Sequence, residues 1–285
     1  GLLVGAAARV GRQVPLVFDA HTLLMSELPY YSFGLPTAAK AAIGRWADRT
    51  LPRLADHTVC VTQTIRDKLV GQAGLAPERV SVVANGIELE HFDPARLASQ
   101  ARPDGRTLIF TGNLAGYQGI DLMLKAFRIV LDQVPDARMT IASDSSFAPY
   151  EALARDLGIR ERIDLVLSPT FDDLPRILGN ADIALNPRTD CDGIPVKLLN
   201  YMAAARPAVS FAGSAPGVTH GLNGWLAENG NVEEFAAGVV ALLQDPGRAL
   251  TIGRTARDYV EQNASWPNAA LQCERIFESL RSRVT

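Results

Sequence analysis

Residues 181–211 read ADIALNPRTDCDGIPVKLLNYMAAARPAVSF, and this stretch decides the fold. Ala181 to Asn186 is a short apolar run closing on a polar residue, the pattern of a buried parallel strand that ends at its loop. A polar loop follows, and Pro195 suits the first position of a helix predicted over 195–205. Ala208 to Phe211 is a second apolar run. Two such strands joined by a helix make a βαβ unit with parallel strands and a right-handed crossover.

The same alternation extends in both directions. Upstream, the pattern predicts strands over 107–111, 138–142 and 163–167, and helices over 119–134, 149–157 and 172–179. Downstream, a brief strand at Trp225-Leu226 is followed by helices over 231–244 and 247–263. Nearer the start, strands are predicted over 15–21, 57–62 and 79–84, with helices over 36–54 and 63–74, the second ended by Gly74. Between the two series, residues 93–106 carry two prolines, a glycine and no apolar periodicity, which predicts a linker. The fold class is therefore α/β, with two parallel-sheet halves. Their predicted extents are 1–92 and 107–264.

The composition agrees. The 285 residues are 47% hydrophobic, enough apolar mass for two cores. The net charge of −3 lacks the basic excess of a nucleic-acid binder. No run is long and apolar enough to cross a membrane. Cys60, Cys191 and Cys273 stand far apart, which suits a reducing compartment and excludes a disulfide framework or a cysteine zinc site. Leu2 to Ala8 is apolar, but no charged segment precedes it, so it reads as a helix inside a fold whose natural start lies upstream. Lys40, Arg45, Arg49 and Arg53 recur every four or five positions. They predict a shared basic face, either solvated or in contact with an anionic membrane.

Neither GxGxxG nor GxxxxGK[ST] is present, so the standard dinucleotide fingerprint and the P-loop are both absent. HExxH and GxSxG are absent too. His21, His57, His91 and His220 lack metal-ligand spacing, and His57, opening a strand, reads as structural. Ligands of open α/β sheets bind beyond the carboxyl ends of the strands, and three such ends stand out. After the strand at 107–111, Gly112, Gly116 and Gly119 let backbone approach a ligand just before a helix starts, a candidate anion site. After Asn186, the free backbone N–H groups around Gly193 to Lys197 and the Lys197 charge would face a diphosphate. Eight residues of rise, ~12 Å, separate Asp192 in the loop from Asn200 in the helix, so the two reach different parts of a long ligand. The third end is Asp19-Ala-His21, where His21 faces a candidate cleft.

These residues form an ordered series: Phe18-Asp-Ala-His21, Val82-Val-Ala-Asn-Gly-Ile87 with Phe92 and Pro94, Thr111-Gly-Asn with Gln118-Gly119, and Asp172-Asp-Leu-Pro with Ala181-Asp182. Asp192-Gly-Ile-Pro with Lys197 to Pro207, His220-Gly-Leu-Asn-Gly224 and Gln244-Asp-Pro246 complete it. The series resembles the GT-B glycosyltransferases of the large retaining family 4 group, over almost the whole chain. The resemblance implies two Rossmann-like halves with a nucleotide-sugar in the cleft, donor on the C-terminal half and acceptor on an N-terminal half whose opening elements precede Gly1, and a last helix over 265–285 crossing back to the first half. The expected place is the cytoplasm, either free or, on the membrane reading of the basic face, peripheral on the inner membrane face. The implied enzyme would act in polysaccharide, glycolipid or glycoconjugate synthesis, on a glycan or lipid-linked acceptor, with a UDP-, GDP- or similar donor and no metal.

By this resemblance Asp192 contacts the donor sugar hydroxyls and His21 the sugar or phosphate. Lys197 and the 193–197 amides hold the diphosphate, and Asn200 holds the ribose. The chain departs from the family at four places. Asp192 and Asn200 stand where the family has two glutamates. Asn113 and Gln118 stand where it commonly has an Arg and a Lys, which leaves Lys197, with Arg188, as the substitute cations. A nucleotide-sugar 2-epimerase and a non-catalytic binding homologue are the alternatives. The epimerase would need more acid/base groups than Asp192 and His21.

Overall fold

The computed structural model describes residues 1–31, 33–92 and 106–282. The expected linker thus lies, but for Arg106, outside the described residues. The chain divides into two compact units. The first holds residues from Gly1 to Gly86, the segment Asp192–Ile194 and the last helix, and the second holds Ile87–Cys191 and Pro195–Ser265.

The first unit has a three-stranded parallel sheet, β1 (Val17–Ala20), β2 (His57–Cys60) and β3 (Val80–Val82), in that order. Both faces of the sheet are covered, which is why β2 is buried along its whole length. Ile65 and Leu69 of α4 (Gln63–Gly71) pack on one face with Leu23, Val61 and Val80. Ala269 of the closing helix (Trp266–Arg281) packs on the other with Val59 and Val83. α4 stops at Gly71 with Gln72 as its C-cap, short of the expected end at Gly74; Gly74 (φ +67) instead turns the chain beyond the helix, where the Leu75 amide reaches back to the Leu69 carbonyl.

Three short helices precede or frame this core: α1 (Leu2–Ala8), α2 (Leu24–Glu27) and α3 (Thr37–Thr50). α2 was not legible in the pattern. Its first two amides are held by the Asp48 carboxylate of α3, at 3.0 and 2.8 Å. The shared basic face is corrected. Lys40 is buried, donates to the Tyr31 carbonyl at 2.6 Å and lies over the Phe33 ring. Arg53 follows the end of α3 and donates to the Ala73 carbonyl. Arg45 and Arg49 on α3 and Arg53 beyond its end remain exposed, so only Lys40 of the four leaves the expected face.

The second unit has six parallel strands: β4 (Thr107–Thr111), β5 (Arg138–Ser143), β6 (Ile163–Leu167), β7 (Ile183–Asn186), β8 (Ala208–Phe211) and β9 (Trp225–Ala227). Their spatial order is β6-β5-β4-β7-β8-β9. The larger second sheet and small first sheet match the expected asymmetry. The helix after β4, α5 (Ile120–Gln133), buries Ile120, Met123, Leu124, Phe127, Val130 and Leu131, one face of a 3.6-residue period. α6 (Ala148–Asp156) follows β5 and α7 (Leu174–Gly179) follows β6. The order of the strands fixes where a ligand can sit. Chain progression runs outward from β4 through β5 to β6, then restarts at β7 on β4's other side. The reversal between β4 and β7 makes their carboxyl ends the switch point at which open α/β sheets bind ligands.

Candidate functional site

Two loops meet at that reversal: 112–119 after β4 and 187–195 after β7. Glycine makes the meeting close. Gly119 adopts φ +71, and a Cβ there would sit 2.2 Å from the Pro187 carbonyl oxygen. A side chain would force the loops apart. Tyr201 fixes their depth. It lies in α8 (Val196–Ala203), is fully buried, and its hydroxyl accepts the Thr111 amide at 2.8 Å at the end of β4. Burial pushes the Tyr201 phenol up to about 12, so it stays protonated and available to this bond. Sequence reading missed Tyr201. Its only signal was one phenol in an apolar helix, and a buried phenol needs a partner.

Within this frame the structure brings together Gly112, Asn113, Gln118, Gly119, Arg188 and Lys197. The Lys197 ammonium donates to Gln118 Oε1 at 2.5 Å and lies 4.2 Å from the centre of the Phe110 ring. It is 3.8 Å from where a Cβ on Gly112 would be. Among the described residues no carboxylate lies within ion-pair distance of it. Burial first, and then the nearby Arg188 charge, push its pKa down to about 7, with Cys191 acting weakly the other way. Arg188 lies over the Tyr117 ring, 4.8 Å from its centre, and its Nε donates to the Asp190 carbonyl at 2.5 Å. Asn113 donates to the Tyr117 hydroxyl at 3.1 Å and accepts from Gln118 at 3.3 Å.

α8 adds its own polarity. Pro195 caps it without a side-chain hydrogen bond, so the amides of its first turn are not closed by a capping side chain. Val196 is exposed at this turn, and Asn200 is buried one turn further on. Backbone N–H groups, a partial positive helix end and two cations converge at the switch point. That arrangement attracts a compact anion.

Asp192, Gly193 and His21 belong to the first unit. The Asp192 carboxylate is ion-paired with Lys68 of α4 and accepts from Ser26 of α2; its side chain is 3% exposed. Thr62, which caps α4, donates to the Asp192 carbonyl at 2.6 Å. A Cβ on Gly193 would meet the His21 carbonyl oxygen at 2.9 Å. The His21 ring is more than half exposed, with Nε2 2.9 Å from the Asp19 carboxylate. His57 is structural: it is buried and bonds Ser81. Lys68 and Ser26 carried no sequence signal, because 124 and 166 positions separate them from Asp192.

Among the described residues no group of His, Cys, Asp or Glu could hold a metal ion, and no helix is long and apolar enough to cross a membrane.

Two family profiles match the chain: Glycosyltransferase Family 4 over residues 1–91 and Glycosyl transferases group 1 over residues 105–245. The chain is 28% identical to the D-inositol 3-phosphate glycosyltransferase of Corynebacterium aurimucosum, over 94% of this chain and 67% of that protein. It is 27% identical to the protein of that name from Rhodococcus jostii, over 98% of this chain and 63% of that one. It thus spans about two thirds of the length of these relatives. In structure it is similar to HepE of Anabaena, solved with UDP and glucose, with a TM-score of 0.78 at 19% identity, over 98% of this chain and 75% of that one. It is also similar to sucrose-phosphate synthase of Thermosynechococcus elongatus, with a TM-score of 0.83 at 18% identity, over 99% and 71%.

Proposed function

Since the chain belongs to glycosyltransferase family 4, the glycosyl transferases group 1, and has the GT-B fold, we propose that it serves a retaining transfer. The sugar would pass from a nucleotide-diphosphate sugar to an acceptor hydroxyl. The observation that carries this reading is the Lys197 ammonium at the β4/β7 switch point, without a carboxylate partner among the described residues and beside a second cation, Arg188. Two cations and the open N-terminus of α8 suit the diphosphate leaving group, whose charge grows as the glycosidic bond breaks.

In the proposed reaction the anomeric carbon–phosphate-oxygen bond breaks, and the diphosphate keeps the electron pair. The acceptor oxygen bonds the same face of the sugar, and its proton passes to the departing phosphate. Lys197, Arg188 and the 193–197 amides stabilise the departing charge, and Asn200 holds the ribose. Asp192 and His21 are assigned to the donor sugar. Most of the rate enhancement then comes from positioning and charge stabilisation. A uridine diphosphate sugar is the first donor to try, because HepE was solved with UDP and glucose.

The test is calorimetric titration of the full chain with UDP, GDP and ADP, followed by an assay of UDP-glucose breakdown or transfer. Lys197→Ala is expected to weaken diphosphate binding by ~1.5–3 kcal/mol, the range of a hydrogen bond to a charged group. Nucleoside binding should stay unchanged. A protein that takes up none of the three diphosphates would overturn the reading.

A further inference from the structure

The loop after β4 presents two amides at the switch point, and both are wired. Gln118 is buried, and each end of its side chain is used: Oε1 accepts from Lys197 at 2.5 Å, and Nε2 donates to Asn113 Oδ1 at 3.3 Å. Asn113 Oδ1 also takes the Ala115 amide at 3.2 Å, and Asn113 Nδ2 donates to the Tyr117 hydroxyl at 3.1 Å. The Tyr117 ring carries the Arg188 guanidinium at 4.8 Å. One connected set therefore runs from Lys197 through Gln118, Asn113 and Tyr117 to Arg188. It has a cation at each end and no carboxylate within it.

Like charges held near each other in a partly desolvated place repel, so an unliganded protein gains nothing from the pairing. The arrangement becomes favourable when a group with two negative centres sits between the cations. We propose that Gln118 and Tyr117 are positioning residues that hold Lys197 and Arg188 as a two-pronged clamp for a diphosphate. This rests on the nucleotide-sugar reading and deepens it: the loop after β4 steers cations that the loop after β7 and its helix supply. Among the described residues, the Lys197 ammonium meets the Gln118 amide and the Phe110 ring, and feels the charges of Arg188 and Cys191. The depressed pKa of Lys197 fits a cation held by a neutral amide rather than by an acid.

The decisive experiment exchanges the two ends of the first link. The full chain is titrated at pH 7.5 with UDP, GDP and ADP, and with the matching nucleosides. Gln118→Leu should weaken diphosphate binding about tenfold or more and leave nucleoside binding alone, since a charge-assisted contact loses its geometry. Lys197→Gln should lose at least as much. The double variant Gln118→Lys with Lys197→Gln keeps one ammonium and one amide in the same place with their owners swapped. It should recover to within about threefold of the wild type, a coupling that independent sites do not show. Thermal unfolding midpoints establish that each variant is folded. Should Gln118→Leu not fold, the swapped pair decides alone. A double variant as weak as Lys197→Gln, or a folded Gln118→Leu with wild-type diphosphate affinity, overturns the clamp. A wild type that binds no diphosphate overturns the functional reading instead, so the two failures are distinct.

Discussion

The backbone of Gly119 lies against the carbonyl of Pro187 so closely that a Cβ would stand 2.2 Å from the oxygen. The contact joins the two loops of the switch point, and the φ of +71 leaves a side chain no relief. Gly119→Ala is expected to cost about 2 kcal/mol or more, from left-handed strain and the clash together. It should also reduce diphosphate binding by spreading the loops. Gly116 in the same loop has open space around its Cβ position and no such φ. Gly116→Ala should stay within about 0.5 kcal/mol of the wild type. Urea unfolding of both variants checks the contrast, and equal midpoints would refute it.

Tyr201→Phe keeps the ring and removes only the hydroxyl. The Thr111 amide and hydroxyl, both bonded to it in a buried place, then lose that partner. Leaving a buried donor unmet costs about 1–3 kcal/mol. The urea midpoint should fall by that equivalent with an unchanged slope, since the unfolded state is the same. A midpoint shift below the error of the measurement would mean that water replaces the hydroxyl.

Local pattern reached the scaffold of this site but not its closing contacts. The strands at 107–111 and 208–211 stood out because continuous apolar runs ended at polar loops, and Gly112, Gly119 and Lys197 followed from strand-end logic. Lys40 misled because charge spacing along α3 says nothing of the Tyr31 carbonyl that draws its ammonium inward. Asp192 with Lys68 was invisible, since no local period relates residues 124 positions apart. α2 was missed because its four residues are held by Asp48 and not by their own propensity.

Lys68 should prove necessary to the stability of the first unit through Asp192. The Asp192 carboxylate is almost wholly buried, and Lys68 is its one ion-pair partner among the described residues. Lys68→Met strands that charge with Ser26 as its one side-chain donor among the described residues. Removing one member of a buried pair typically costs about 3–5 kcal/mol, and the partial exposure of Lys68 favours the low end. Asp192→Asn in the same chain should restore part of the loss, because no buried charge remains. A double variant whose loss equals the sum of the two single losses would show that the pair is not coupled.

Lys197 should make both stability and diphosphate binding depend on pH, with a sign set by its depressed pKa of about 7 against 10.5 for an ordinary lysine. Burial disfavours the charged form in the folded state only. Below pH 7 both states carry the proton, and the desolvation penalty is fully present. Between pH 7 and 10.5 the folded protein holds fewer protons than the unfolded chain, so the Lys197 contribution to stability rises with pH. Lys197→Met should therefore be more stable than the wild type near pH 6.5, and this advantage should shrink by pH 9.5. Diphosphate binding runs the other way. The anion favours the ammonium, so binding above pH 7 takes up a proton, and affinity should fall by up to about tenfold per pH unit. Titration between pH 7.5 and 9.5 stays clear of phosphate's own ionisation near pH 6. Repeating it in buffers of different ionisation enthalpy counts the proton directly. The expected uptake approaches one proton in the wild type and none in Lys197→Met. Equal uptake by both proteins would move the titrating group elsewhere.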